Sequence, residues 1–104
     1  MTSLLDHNTI EKLILSLIKK VDMVILGGPY IHRCDISGNE GYTALVAITT
    51  SHIVLHTWDT SEIQLDIYSC KSFNQHDVID LLREFGIVNS VFKFLDRSNS
   101  FKEI

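Results

Sequence analysis

Between Thr49 and Cys70 the chain runs TTSHIVLHTWDTSEIQLDIYSC, and it holds a serine hydroxyl at 51, imidazoles at 52 and 56 and a thiol at 70. Metal binding is the first chemistry such groups suggest. His52 and His56 are four residues apart, and His32 and Cys34 two apart. Four residues of extended strand span roughly 13 Å, whereas zinc ligands sit about 2 Å from the ion. The two histidines therefore cannot share an ion on a strand, and no metal site is expected. Nucleophilic catalysis is the second. No elbow glycines flank Ser51, and Gly27-Gly28-Pro29 leads into another extended piece rather than a helix, so a nucleophile elbow and a phosphate loop are both disfavoured. Residue types alone leave two readings: a strand pair that carries polar residues, or a self-processing site.

The elements around this stretch have clear periodicities. Ile10, Leu13, Ile14, Leu17, Ile18 and Val21 recur at helical spacing. Asn8 with Glu11 suits a capping box, so a helix is expected from about Asn8 to Lys20. MVILGGPYIHRC reads as a strand, a break at the glycines and proline, and a second extended piece ending near Cys34. Residues 37–41 are a loop, 42–50 a buried type of strand, 52–58 the next strand and 59–61 a turn. Over 62–70, Ile63, Leu65 and Ile67 alternate with Glu62, Gln64, Asp66 and Tyr68, which is a strand with one apolar and one polar face. A second helix starts at Asn74, with Phe73 placed to staple onto Val78. Val78, Leu81, Leu82 and Phe85 form its stripe, and Gly86 stands where a C-cap glycine belongs. A final strand is expected over 87–95, then a polar tail from Asp96. The order predicts an α+β two-layer sandwich, a mainly antiparallel sheet with two helices on one face. The other face reads as more polar, either wet or shared with a second subunit.

Composition limits the function classes. The 104 residues make one domain, 1–104, with a modest core that can lean on a partner chain. Apolar content of 45% excludes a disordered chain. Net charge is −4 and no cationic cluster exceeds Lys19-Lys20, so no nucleic-acid partner is expected. Apolar runs are too short for a bilayer, and the start lacks a signal-peptide pattern. The expectation is a cytoplasmic protein away from membranes, with Cys34 and Cys70 as free thiols.

The run SHIVLHTW, followed by alternating residues and DIYSC, resembles the signature of the bacterial and archaeal S-adenosylmethionine decarboxylases. That signature has Glu-Ser-His-Ile, a second histidine five positions after the serine, Thr-Trp-Pro-Glu, then Asp-(Ile/Val)-(Phe/Tyr)-Thr-Cys-Gly. The resemblance is strongest over 51–70 and extends more weakly to His32-Arg33 and to 41–48. It implies that Ser51 attacks the carbonyl of Thr50 and that the chain splits between Thr50 and Ser51. Residue 51 is then left as a pyruvoyl group that forms a Schiff base with the amine of S-adenosylmethionine. His56 matches the histidine that assists processing, Thr43 the position of a serine that also helps, and Cys70 the thiol that reprotonates the decarboxylated carbon. The implied role is supply of the aminopropyl donor for spermidine synthesis, by a homodimer with shared active sites.

Geometry bears on that last point. A hairpin turning near Thr50 sets Thr43 beside His56, whereas Ser51 and His56 are roughly 16 Å apart along one strand. Two chains about a two-fold axis can join them.

Several positions differ from the family pattern. Thr50 replaces Glu, Asp59-Thr60 replaces Pro-Glu, Lys71 replaces Gly, and Cys34 stands where an adenine-stacking aromatic is usual. The segment SGNEGYTA is a reduced form of the family's Phe-x-Pro-x-Gly-(Val/Ala)-Ser-Gly, and the family's first strand has no counterpart before the first helix. These differences keep two alternatives open: a pyruvoyl decarboxylase of arginine or ornithine, and a non-cleaving homologue acting as an interaction subunit.

Overall fold

The computed structural model describes residues 6–89, 91 and 93. Helix α1 (His7–Lys20) is followed by strands β1 (Ile25–Cys34), β2 (Gly41–Ile48), β3 (Ser51–Trp58) and β4 (Ile63–Ser69), and then by helix α2 (Gln75–Glu84). The strands form one antiparallel meander in the order β1-β2-β3-β4. Both helices contribute to a single core on one face of this sheet, which is the expected α+β sandwich.

Helix α1 forms because its apolar residues repeat on one side, burying Ile10, Leu13, Ile14, Leu17 and Ile18. Each such side chain contributes about 1.5–3 kcal/mol of burial. Its cap is Asp6, not the expected Asn8: the Asp6 Oδ1 accepts the Asn8 N–H at 2.7 Å and the Thr9 N–H at 3.2 Å. A carboxylate before the first turn satisfies two orphan donors and also meets the positive end of the helix dipole. Helix α2 is capped by Asn74, as expected, and ends in a Schellman arrangement. The Gly86 N–H donates to the Arg83 carbonyl and the Ile87 N–H to the Leu82 carbonyl, each at 2.9 Å, with Gly86 at φ +88°.

That cap corrects the expectation of a last strand over 87–95. The Ile87 N–H is already engaged by the helix end, and residues 87–89 have no strand conformation; neither do 91 and 93. The rest of that segment and the tail from Asp96 lie outside the described residues. The expected break in MVILGGPYIHRC is also absent. Strand β1 runs through Gly27-Gly28-Pro29 with register shifts before and after Gly27. As an edge strand it tolerates a residue with no N–H to donate, and at Gly28 (φ +95°) a Cβ would strike the Leu45 carbonyl.

Along β2 and β3 the residues facing the helices are Ala44, Val46, Ile48, Ile53, Leu55 and Thr57, all buried. The alternate residues, among them Thr43, Leu45, Ala47, His52, Val54 and His56, belong to the open face. This face is less polar than its pattern in β4 suggested, because Tyr30 (57% exposed) and Leu45 (43%) also lie there.

Candidate active site

The chain reverses between β2 and β3 through Thr49 and Thr50 alone, because Ile48 pairs directly with Ser51. Strand β4 ends beside this turn, with Ser69 opposite Ser51. The next residue then closes the ladder: the Cys70 N–H donates to the Thr50 carbonyl at 3.0 Å. A fixed donor at this distance stabilises charge that develops on a carbonyl oxygen under attack. The main chain thus polarises the bond that a Ser51 hydroxyl would open.

Side chains brace this corner. The Thr50 and Ser69 hydroxyls are 2.7 Å apart, and the Thr50 hydroxyl also lies 3.6 Å from the Met23 sulfur. The Lys71 N–H donates to the Ser69 oxygen at 3.0 Å. Lys71 Nζ reaches the Asp22 carbonyl at 2.6 Å and its carboxylate at 3.2 Å. Threonine in place of the family's Glu, and lysine in place of its Gly, therefore tie the end of β4 to the connection between α1 and β1.

The Ser51 hydroxyl has an imidazole against it. Its Oγ lies 3.2 Å from His52 Nδ1, and His52 Nε2 lies 3.6 Å from an Asp66 carboxylate oxygen. The His52 ring also packs at a tilt on Tyr68, 5.6 Å between centroids. Sequence reasoning considered His52 only as a metal ligand, since neighbours on a strand ordinarily point to opposite faces. The contact arises at the strand's first residue, where Ser51 has φ +155°. No sequence pattern marks it beyond the adjacency itself.

Thr43 and His56 are direct partners across β2 and β3, and the His56 ring stacks on Trp58 with centroids 4.0 Å apart and planes 12° apart. His56 sits five residues along β3 from Ser51, roughly 16 Å, and Thr43 lies opposite it on β2. One chain therefore holds two separate groups: Thr50, Ser51, His52 and Cys70 at one end of the sheet, and Thr43 with His56 farther along the open face. Cys70 is exposed. Among the described residues no three His, Cys, Asp or Glu side chains form a group able to hold a metal ion.

At the far end an ion-pair clamp fixes the strand that carries His56. Arg33 grips Asp59 with two hydrogen bonds of 2.7 and 2.6 Å, donates to Asp35 at 2.9 Å, and lies 5.1 Å above the Tyr42 ring. The hydrogen bonds from Arg33 hold the Asp59 carboxyl below its ordinary range, and those to Asp59 and then Asp35 raise the guanidinium above its own. Trp58 Nε1 donates to the Asn39 side chain, and the Asp59 N–H to the Glu40 carbonyl, both at 2.9 Å. Asp59, which stands where the family has proline, supplies the carboxylate of this clamp. Cys34 is half-buried at the same end, with Asn39 Nδ2 3.9 Å from its sulfur.

The open face has a shallow depression of about 400 Å³ that His52 helps to line. Tyr30, Leu45, Ala47, His52 and Val54 line it. The corner therefore combines a hydrogen-bonded peptide carbonyl, an adjacent hydroxyl and a neighbouring thiol, and His52 links it to an apolar recess walled by Tyr30.

A family model described as S-adenosylmethionine decarboxylase matches residues 1–98. No curated protein and no solved structure matches the chain. Among the described residues no helix is long and apolar enough to cross a membrane. With a match over nearly its whole length, the chain belongs to the S-adenosylmethionine decarboxylase family.

Proposed function

We propose that this chain is a self-processing, pyruvoyl-dependent S-adenosylmethionine decarboxylase that supplies the aminopropyl donor for spermidine synthesis. The observation that carries the reading is the Thr50 carbonyl, held by the Cys70 N–H at 3.0 Å directly before a serine in contact with an imidazole. Cleavage between Thr50 and Ser51 gives two chains, the second beginning at residue 51. The residues present fit a pyruvoyl group there: Ser51 is only partly buried, and its neighbour His52 lines the recess. When formed, that group supplies a ketone that captures the substrate amine and accepts the electrons released with carbon dioxide.

The chain's own residues then have separate tasks. The Cys70 thiol, exposed at the same corner, delivers a proton to the substrate carbon. Thr43 and His56 assist processing from the second chain of a dimer, because their own strand keeps them far from their own Ser51. Tyr30 offers an aromatic wall for adenine, the function that Cys34 cannot perform.

Intact mass of the freshly purified chain under denaturing conditions, beside Ser51→Ala, tests the processing. Two fragments split between 50 and 51 in the wild type and one uncut chain in the variant are expected. Release of carbon dioxide from S-adenosylmethionine, compared with arginine and ornithine, tests the substrate. A wild-type chain that stays whole on long incubation refutes self-processing and supports the non-cleaving interaction subunit instead. Release from arginine or ornithine alone refutes the substrate assignment.

A further inference from the structure

We infer that His52 is the base that starts chain cleavage by taking the proton from the Ser51 hydroxyl, with Asp66 as its positioning residue. The inference rests on the proposed processing at Ser51 and adds the group that performs its first proton transfer. Family resemblance gives a processing role to His56, yet His56 stacks on Trp58 and lies far along β3. The imidazole that touches the nucleophile is His52, with Nδ1 at 3.2 Å from Ser51 Oγ.

The other ring nitrogen explains why His52 suits the task. Nε2 lies 3.6 Å from the Asp66 carboxylate, across the β3–β4 ladder. An acidic neighbour on that side favours a proton on Nε2 and leaves Nδ1 free to accept. Hydroxyl, imidazole and carboxylate thus stand in sequence, and the Cys70 N–H waits on the carbonyl oxygen at the other end of the reaction.

The step balances within the chain. Nδ1 takes the hydroxyl proton, and Ser51 Oγ bonds to the Thr50 carbonyl carbon. Charge gathers on the Thr50 oxygen beside the Cys70 N–H. The bond from that carbon to the Ser51 nitrogen breaks, and the proton held by His52 passes to the departing nitrogen. The product is an ester linking Thr50 to Ser51 Oγ, with a free amine on residue 51.

The test follows cleavage by mass for the wild type, His52→Ala and Asp66→Asn, with thermal melting to establish that each is folded. His52→Ala is expected to cleave at least about 10²-fold more slowly, the usual effect of losing a general base. Hydroxylamine, which splits esters, should release no fragments from the uncut variant. Added imidazole should restore part of the rate, which a purely structural defect would not allow. Asp66 is largely exposed at 66%, so Asp66→Asn should fold as the wild type and slow cleavage only about two- to fivefold, the worth of an exposed ion pair. Wild-type cleavage rates in His52→Ala overturn the inference while leaving self-processing intact. So does hydroxylamine release of fragments from His52→Ala, which would mean the ester forms without His52. A wild-type chain that never cleaves refutes the processing reading itself, and this inference with it.

Discussion

Under the proposed function Cys70 serves the site twice, and its two contributions are separable. Its N–H holds the Thr50 carbonyl, and any residue but proline supplies that donor. Its thiol alone can deliver a proton. Cys70→Ala is therefore expected to cleave between 50 and 51 at close to the wild-type rate, then to release carbon dioxide about 10²-fold more slowly or worse. Fragment mass and carbon dioxide assays on one preparation separate the two steps. Loss of cleavage in this variant would contradict the division between main chain and side chain. At this scale the Thr43–His56 pairing was visible in the sequence, because it follows from position in a hairpin, whereas Ser51 and Cys70 stood out only through the family resemblance. It concealed His52, whose contact with Ser51 depends on local backbone geometry at the first residue of β3. Asp6 was concealed for a related reason. Either Asp6 or Asn8 can cap, and which one does depends on where the helix begins.

At the scale of elements, the hairpin of β2 and β3 must hold register, because one residue of slip would move His56 to the core face. Two features pin it. Gly41 lies so close to the Thr57 carbonyl that a Cβ would overlap it. Gly41→Ala should therefore lower stability by about 1–3 kcal/mol, the usual cost of overpacking against a part that cannot yield, as read from chemical denaturation. The second feature is the Arg33–Asp59 clamp. The folded Asp59 carboxyl titrates below its unfolded value. The stabilisation is thus present above the ordinary carboxylate range and fades as pH falls through the depressed value. Arg33 stays charged throughout and adds no pH dependence of its own. Asp59→Asn should flatten the acid limb of the melting temperature against pH. An unchanged limb would show that the exposed pair contributes nothing measurable, as many surface pairs do. Elements were legible where periodicity was strong, in both helices and in β4. The last strand was misjudged because an apolar run past a C-cap glycine looks the same whether it pairs in a sheet or only packs on the core. Ile87 does the latter, with its N–H bound to Leu82.

The whole molecule poses the question of how separated groups become one site. Ser51 and His56 lie at different places on one strand, and no rotation of side chains closes roughly 16 Å of strand. A two-fold partner can, since an isologous contact brings residue i of one chain to residue j of the other, twice. The open sheet face, with Tyr30 and Leu45 exposed amid polar neighbours, gives such a partner apolar area to cover. This arrangement predicts complementation. Ser51→Ala has no nucleophile, and His56→Ala has lost the group its partner needs, so each alone should remain uncut or nearly so. Coexpressed with distinguishable tags, they form mixed dimers in which the His56→Ala chain keeps its Ser51 and receives His56 from its partner. Random assortment at equal amounts would then cleave about half of the His56→Ala chains and none of the Ser51→Ala chains. If affinity capture shows both tags in one dimer while every chain stays whole, His56 does not act across the interface. If His56→Ala cleaves at the wild-type rate by itself, His56 has no part in processing, and the group that contacts Ser51 within its own chain suffices.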